Sequence, residues 1–178
     1  WRMAVPVMRD AFQAEGLAKL CKWANQNGAI GKCVEIGSYS GEGTVVLADY
    51  FKEVLAVDPW ENGYDPNDVA SHQCPMEDVF NAFTERTRPK GNVTFSRGKS
   101  LDALEFVADG SLDMVYVDGD HRYEGVRADI DFWLPKLRKG GCMTGHDFSF
   151  PAVRQALSET FNGDYLALFQ GDSWGYIV

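Results

Sequence analysis

Short apolar runs with strand character alternate along this chain with segments of helical period, and that alternation fixes most of what the chain can fold into. The strand-like runs are CVEIG (33–37), EVLAVD (53–58), NVTFSR (92–97), SLDMVYVD (111–118) and GGCMTGHD (140–147). Helical patterns occupy 9–26, 42–51, 76–88, 100–108 and 151–161, and another follows the fourth strand. In the first, Leu17, Leu20, Cys21 and Ala24 recur at i, i+3, i+4 and i+7; after strand four, Val126, Ile130, Trp133, Leu134 and Leu137 form a second stripe. Pro135 falls near the last turn of that helix or kinks it. Strands that alternate with helices demand a mostly parallel sheet covered on both faces. Two last strand-like runs, 164–170 and 174–178, are joined only by Gly-Asp-Ser. So short a link cannot make a parallel crossover, so the last strand must run antiparallel. The expected fold class is α/β: a doubly wound, seven-stranded sheet, mostly parallel, with helices on both faces.

No repeat, low-complexity segment or linker interrupts the pattern. The 178 residues therefore read as a single domain, with an N-terminal helical segment (1–29) before the core (30–178). A formal net charge of −9, from 17 basic and 26 acidic residues, argues against a nucleic-acid or anionic-membrane surface. There is no run of apolar residues long enough to span a bilayer and no signal peptide, although the chain begins at Trp1 as a trimmed chain would. Cys21, Cys33, Cys74 and Cys142 contain no C-x-x-C pair. Cys33 and Cys142 lie in strands and read as core residues, which suits a reduced, cytoplasmic protein.

Chemistry-bearing residues gather at strand ends, where open α/β sheets hold their ligands. After strand one comes EIGSYSGEG, with Gly37, Gly41 and Gly43 in G-x-x-x-G-x-G spacing. This is neither the dinucleotide fingerprint nor a phosphate-binding P-loop. Asp58 closes strand two, 21 residues after Gly37, where an acid can accept both hydrogen bonds of a ribose diol. The combination suits an adenosine-bearing ligand without a pyrophosphate. Strand four ends in Asp118, Asp120 and His121, and strand five in His146 and Asp147. Residues 59–75 carry three Pro and no period, and read as a long loop that orders on binding ligand.

VEIGSYSGEGT, the acid in AVDPW, DMVYVDGDH and GGCMTGHD together resemble the class I S-adenosylmethionine-dependent methyltransferases, whose fold is Rossmann-like. The likeness spans about residues 30–178 and leans toward the small-molecule O-methyltransferases of the catechol and macrocin type. It implies S-adenosyl-L-methionine as cofactor and a small hydroxylated substrate. It also implies roles: Glu35 faces the methionine end, Gly37 and Gly41 lie against the cofactor, Tyr39 lines it, and Asp58 binds the ribose. Ser100 borders the adenine; it also reads as a helix N-cap, and both can hold together.

The resemblance further places a metal ligand at Asp118, which also borders the cofactor, and a catalytic base at His121. His146 and Asp147 would complete the metal site. His146 stands where a carboxylate is expected, and an imidazole turns the preference from magnesium toward manganese, zinc or iron. Other readings stay open: Asp147 capping the next helix, Asp120 as a solvated turn residue, His72 as a surface residue, and Trp60 as either a cofactor cover or a packing residue. Arg122, Tyr123, Arg127 and Asp129 read as the solvent side of a helix, and Trp174 as core. Competing functions are a metal-independent N- or C-methyltransferase and a non-catalytic cofactor-binding module. A homo-oligomer is left open.

Overall fold

The computed structural model describes residues 5–64, 71–161 and 166–178. Its strands are β1 (Lys32–Ile36), β2 (Glu53–Asp58), β3 (Val93–Arg97), β4 (Leu112–Val117), β5 (Leu137–Gly145), β6 (Ala167–Phe169) and β7 (Ser173–Ile177). They form one seven-stranded sheet in the order β3-β2-β1-β4-β5-β7-β6. β1 to β5 pair in parallel, and β7 runs antiparallel to both β5 and β6. The expected class and the reversed last strand are both present. The order reverses between β1 and β4, so the carboxyl ends of these neighbours border a crevice.

The helices are α1 (Ala11–Gln26), α2 (Glu42–Ala48), α3 (Met76–Thr87), α4 (Tyr123–Trp133) and α5 (Pro151–Phe161). Residues Ser100–Phe106 form a 3-10 helix, and a second 3-10 turn, Leu134–Lys136, holds Pro135. Pro135 thus ends α4 without kinking it, because its missing N–H suits the first positions of a new turn. α1 starts where Asp10 accepts from the Gln13 amide while Gln13 reaches back to the Asp10 amide, a closed capping box.

Side chains alternate across each strand, which splits the core in two. Val34, Ile36, Val115 and Val117 face α4 and α5, where Ile130, Trp133 and Leu157 are fully buried. Cys33, Met114 and Tyr116 face α1 and α2, against Leu17, Leu20 and Leu47. Each such large side chain contributes about 1.5–3 kcal/mol by leaving water. A third cluster joins Trp60 to Val79 and Phe83 of α3. Cys33, Cys142 and Trp174 are buried, in keeping with their reading as core residues, and Cys21 and Cys74 are free and buried as well.

Some boundaries shift by a few residues from the sequence reading. β5 begins at Leu137, not Gly140, because Leu137 pairs with Leu112 across an irregularity in register before Met114. The loop 59–75 is pinned at both ends by apolar side chains, Trp60 and Cys74. Its segment 65–70 lies outside the described residues, as do 162–165 at the start of the expected sixth strand.

Candidate active site

A cleft of about 570 Å³ opens at the carboxyl ends of β1, β2 and β4, within the size range of small-molecule sites. Glu35, Gly37, Tyr39, Asp58, Ser100, Asp118, His121, His146 and Asp147, all named from the sequence, line it, whereas Gly41 and Trp60 do not. Gly41 instead precedes α2 with φ +82°, and its hydrogen packs on Phe83 and Thr87, so it shapes the turn from behind.

The glycine loop works by close approach. Gly37 has φ +85°, and a Cβ there would lie 2.1 Å from the Asp118 carbonyl oxygen. Only glycine lets the β1 and β4 ends sit so near one another. Asp58 then organises the next turn: its carboxylate accepts the Tyr39 amide at 2.9 Å and the Trp60 amide at 2.8 Å. Tyr39 and Trp60 both adopt φ +44°, a left-handed conformation held by those two bonds. Trp60 is 2% exposed, donates its indole N–H to the Tyr39 carbonyl at 2.7 Å and packs against Phe80 and Phe83. It supports the loop from the core, so the packing reading of Trp60 holds.

Glu35 is buried beneath this loop. Desolvation pushes its pKa up to about 7, against the Thr44 and Ser38 hydroxyls and the nearby Arg9, which favour the charged form. Thr44 donates a short hydrogen bond to it.

At the β4 and β5 ends, Asp118, His121 and Asp147 each offer a ligand atom within 4.8 Å of the others. His121 Nε2 lies 2.8 Å from Asp147 Oδ2, and its ring stacks on Phe150. His146 Nδ1 lies 3.1 Å from Asp147 Oδ1 and 3.7 Å from Asp118 Oδ1. Its Nε2 is 2.6 Å from the Gly171 carbonyl, which fixes the proton on that nitrogen and turns Nδ1 to the carboxylates. Burial opposes charge on His146, but Asp147 and Asp118 outweigh it and raise its pKa. Burial likewise raises Asp118, while the two imidazoles hold Asp147 well below the usual carboxylate range. Asp147 has φ +59° and its carboxylate faces His121 and His146, so it is not spent on capping α5.

One member of this cluster escaped the sequence reading. Arg9, from the segment before α1, makes a short ion pair with Asp118, although the two are 109 residues apart. The Glu42 carboxylate places it by accepting the Met8 and Arg9 amides at 3.0 and 2.8 Å. The side chain is 9% exposed and its Cζ lies 5.7 Å from the centre of the Tyr116 ring. The only trace in the sequence is a lone basic residue before the N-cap of α1.

Two expectations, one on α4 and one on the 3-10 helix after β3, need correction. Asp129 is 5% exposed and lines the cleft; it does not face solvent with Arg122. It follows Val126 by three residues and precedes Trp133 by four, so the helical stripe carries it inward. Ser100 is not the cap of its 3-10 helix: Lys99 holds that position, and the Ser100 hydroxyl accepts the Trp133 indole N–H at 2.8 Å. Asp120 does make a turn, accepting the Arg122 amide at 2.9 Å, but its side chain is 13% exposed and borders the cleft. His72 is exposed, as expected.

A doubly wound sheet with a reversed last strand, a glycine loop after β1 and an acid ending β2 define a Rossmann-like, class I methyltransferase fold. The family model for "Methyltransferase domain" matches residues 34–148, and the chain belongs to that family. A curated relative, "Uncharacterized protein y4gI" of Sinorhizobium fredii, is 28% identical over 126 residues, covering 65% of this chain; the match spans 13% of that relative's length. Among solved structures, the O-methyltransferase from Bacillus cereus in complex with SAH is 17% identical, with a TM-score of 0.67 over 98% of this chain and 84% of that one. The O-methyltransferase TomG from Streptomyces achromogenes, in complex with SAM, is 15% identical with a TM-score of 0.65, covering 98% and 82%. The O-methyltransferase NovP is 19% identical with a TM-score of 0.69, covering 92% and 78%. At these identities the likeness is one of fold. Among the described residues, no helix is long and apolar enough to cross a membrane.

Proposed function

We propose that this chain is an S-adenosylmethionine-dependent methyltransferase that acts on a hydroxyl group of a small molecule. The observation that carries the reading is the continuity of one cleft, from Asp58 and Glu35 to the acid–imidazole cluster of Asp118, His121 and Asp147. The cofactors in the B. cereus and S. achromogenes structures support it. S-adenosylmethionine, when bound, supplies an electrophilic methyl group on its sulfonium.

The chain's own residues do the rest. Asp58 would accept hydrogen bonds from a ribose diol. Glu35 would receive the amino group of the methionine end, and Gly37 would let the backbone come near it. With its Nε2 proton given to Asp147, neutral His121 carries its lone pair on Nδ1. With cofactor and acceptor bound, that nitrogen would take the proton of the substrate hydroxyl, and Asp147 would stabilise the imidazolium. Arg9 and His146 balance the carboxylates through this change.

The cluster geometry also admits a metal-assisted version. Asp118, His121 and Asp147, with His146 beside them, would hold a divalent cation, and their mixed nitrogen and oxygen donors suit manganese better than magnesium. Such an ion, when bound, lowers the pKa of a substrate hydroxyl. The Arg9–Asp118 pair favours transfer without it, since the buried acid already has its counter-charge. We further read the whole chain as one domain, because α1 packs on the same sheet that runs to β7. The free, buried cysteines suit the cytoplasm.

The test is the formation of S-adenosylhomocysteine from S-adenosylmethionine with catechols, phenols and sugar hydroxyls as acceptors, in EDTA and in manganese. The proposal expects turnover with a hydroxyl acceptor. Turnover confined to amine acceptors would replace oxygen by nitrogen, and full activity in EDTA would remove the metal.

A further inference from the structure

Arg9 brings a cation into the acid–imidazole cluster from a segment outside the sheet. Its Nη2 pairs with Asp118 Oδ2, and Asp118 is also one of the residues whose ligand atoms lie within 4.8 Å of one another with those of His121 and Asp147. The same carboxylate is therefore open to two kinds of cation, and their demands conflict. A divalent ion takes carboxylate oxygens at about 2.0–2.6 Å. An ion that near Asp118 would stand against the guanidinium, and like charges repel strongly where little water lies between them.

Arg9 is held in a way that lets it leave. Its side chain is 9% exposed, yet its buried Nη1 meets no hydrogen-bond acceptor among the described residues. The guanidinium thus depends on Asp118, with the Tyr116 ring as a further neighbour. Once the charge of Asp118 is taken up by another cation, what remains is a buried guanidinium with an unmet N–H, a costly state. The backbone that carries it, residues 5–10, forms neither helix nor strand, and Val7 and Met8 are exposed. Among the described residues, Val5 is the one side chain of this segment packed on an apolar cluster, and it is only partly buried. The Met8 and Arg9 amides are fastened by a single carboxylate, that of Glu42 at the start of α2. The capping box at Asp10 closes α1 independently of that fastening, so the segment can swing away without unwinding the helix.

We propose that Arg9 is the resident cation of this cluster and that a divalent ion enters only by displacing it, so that residues 5–10 form an exchangeable strap, closed on Asp118 with Arg9 in place and open when a metal is bound. The inference rests on the proposed reading of the cluster as able to hold a metal, and it relates the metal-free and metal-assisted versions as two states of one site. The coupling is reciprocal: whatever fastens the strap weakens the metal, and the metal loosens the strap by the same factor. Glu42 separates this from plain electrostatics. It is an acid lining the cleft, so on charge alone its removal would weaken the binding of a cation; as the fastening of the strap, its removal strengthens it.

The experiment is calorimetry with manganese chloride, joined to hydrogen exchange of residues 5–10 read by mass spectrometry with and without manganese. Arg9→Met should bind manganese at least about tenfold more tightly than the wild type, within the usual range of coupling between sites. Glu42→Ala should also bind it more tightly, and Asp118→Asn should lose the binding. In the wild type, saturating manganese should speed exchange in residues 5–10, the reverse of the protection a ligand ordinarily gives. Tighter binding in Arg9→Met with weaker binding in Glu42→Ala would reduce Arg9 to a nearby charge and overturn the strap. Unchanged or slower exchange in the manganese-bound wild type would overturn it as well, and that measurement needs no variant to fold. Binding of manganese to neither the wild type nor a folded Arg9→Met would remove the metal and the proposal together. S-adenosylhomocysteine titrated into the wild type in parallel tests the methyltransferase reading separately, so the two failures are told apart.

Discussion

Replacing Arg9 by Met keeps most of the side chain's apolar stem and deletes its charge, and so isolates what the guanidinium does for Asp118. The pair is largely buried, at 9% and 16% exposure. Removing one partner of a fully buried ion pair costs about 3–5 kcal/mol, because the other charge stays behind in a poor solvent. The residual exposure of Asp118 and the His146 ring 3.7 Å away reduce this to about 2–3 kcal/mol at pH 8. The pH dependence carries the signature. Burial already raises the Asp118 pKa despite Arg9, and losing Arg9 raises it further. An acid whose folded pKa is raised holds its proton more tightly when folded, so stability falls as pH climbs from its ordinary value through the folded one. His146 acts in the same sense: its raised pKa lets it stand in as a cation at low pH and fail at high pH. Urea denaturation of wild type and Arg9→Met at pH 5 and pH 8 should therefore show a loss that is clearly larger at pH 8, with the slope against urea unchanged. A loss of equal size at both values, or none at pH 8, would refute the counter-charge role.

Other consequences can be checked alongside. His121→Ala should lower kcat by about 10²–10⁴-fold with little change in S-adenosylhomocysteine affinity, measured once an acceptor is found; full activity would remove the base. Glu35→Gln should flatten the decline of stability between pH 4.5 and about 7, since the wild-type acid keeps its proton longer when folded, and pH-dependent denaturation shows it. Gly37→Ala should cost at least about 1–2 kcal/mol for the left-handed backbone alone. The clash with the Asp118 carbonyl adds to that, and thermal melting reads the sum.

What was legible in the sequence followed from periodicity and punctuation. Short apolar runs found each strand that ends at the cleft, and the glycines and Asp58 marked the loop because only certain residues tolerate such turns. The reversed β7 could be read from a link too short to cross over. Arg9 was illegible because its partner is fixed by the docking of a terminal segment through Glu42, and no local pattern encodes that. Asp129 was misread for a different reason: polarity was allowed to outvote position, although its spacing from Val126 and Trp133 pointed inward. Trp60 could not be settled from the sequence because its role depends on α3, whose Phe80 and Phe83 receive it. The meeting of His121 with Asp147 depends on the β4–β5 register, which places Val117 beside Gly145.

The central claim is that the cleft holds S-adenosylmethionine through Asp58. Isothermal titration of S-adenosylhomocysteine into the wild type and into Asp58→Ala tests it most directly. The wild type should bind one equivalent, and the variant, having lost a charge-assisted hydrogen bond worth about 1.5–3 kcal/mol, should bind at least about tenfold more weakly. Because Asp58 also accepts the Tyr39 and Trp60 amides, melting curves must show the variant folded. No binding to the wild type, or equal affinity in a folded Asp58→Ala, would contradict the account.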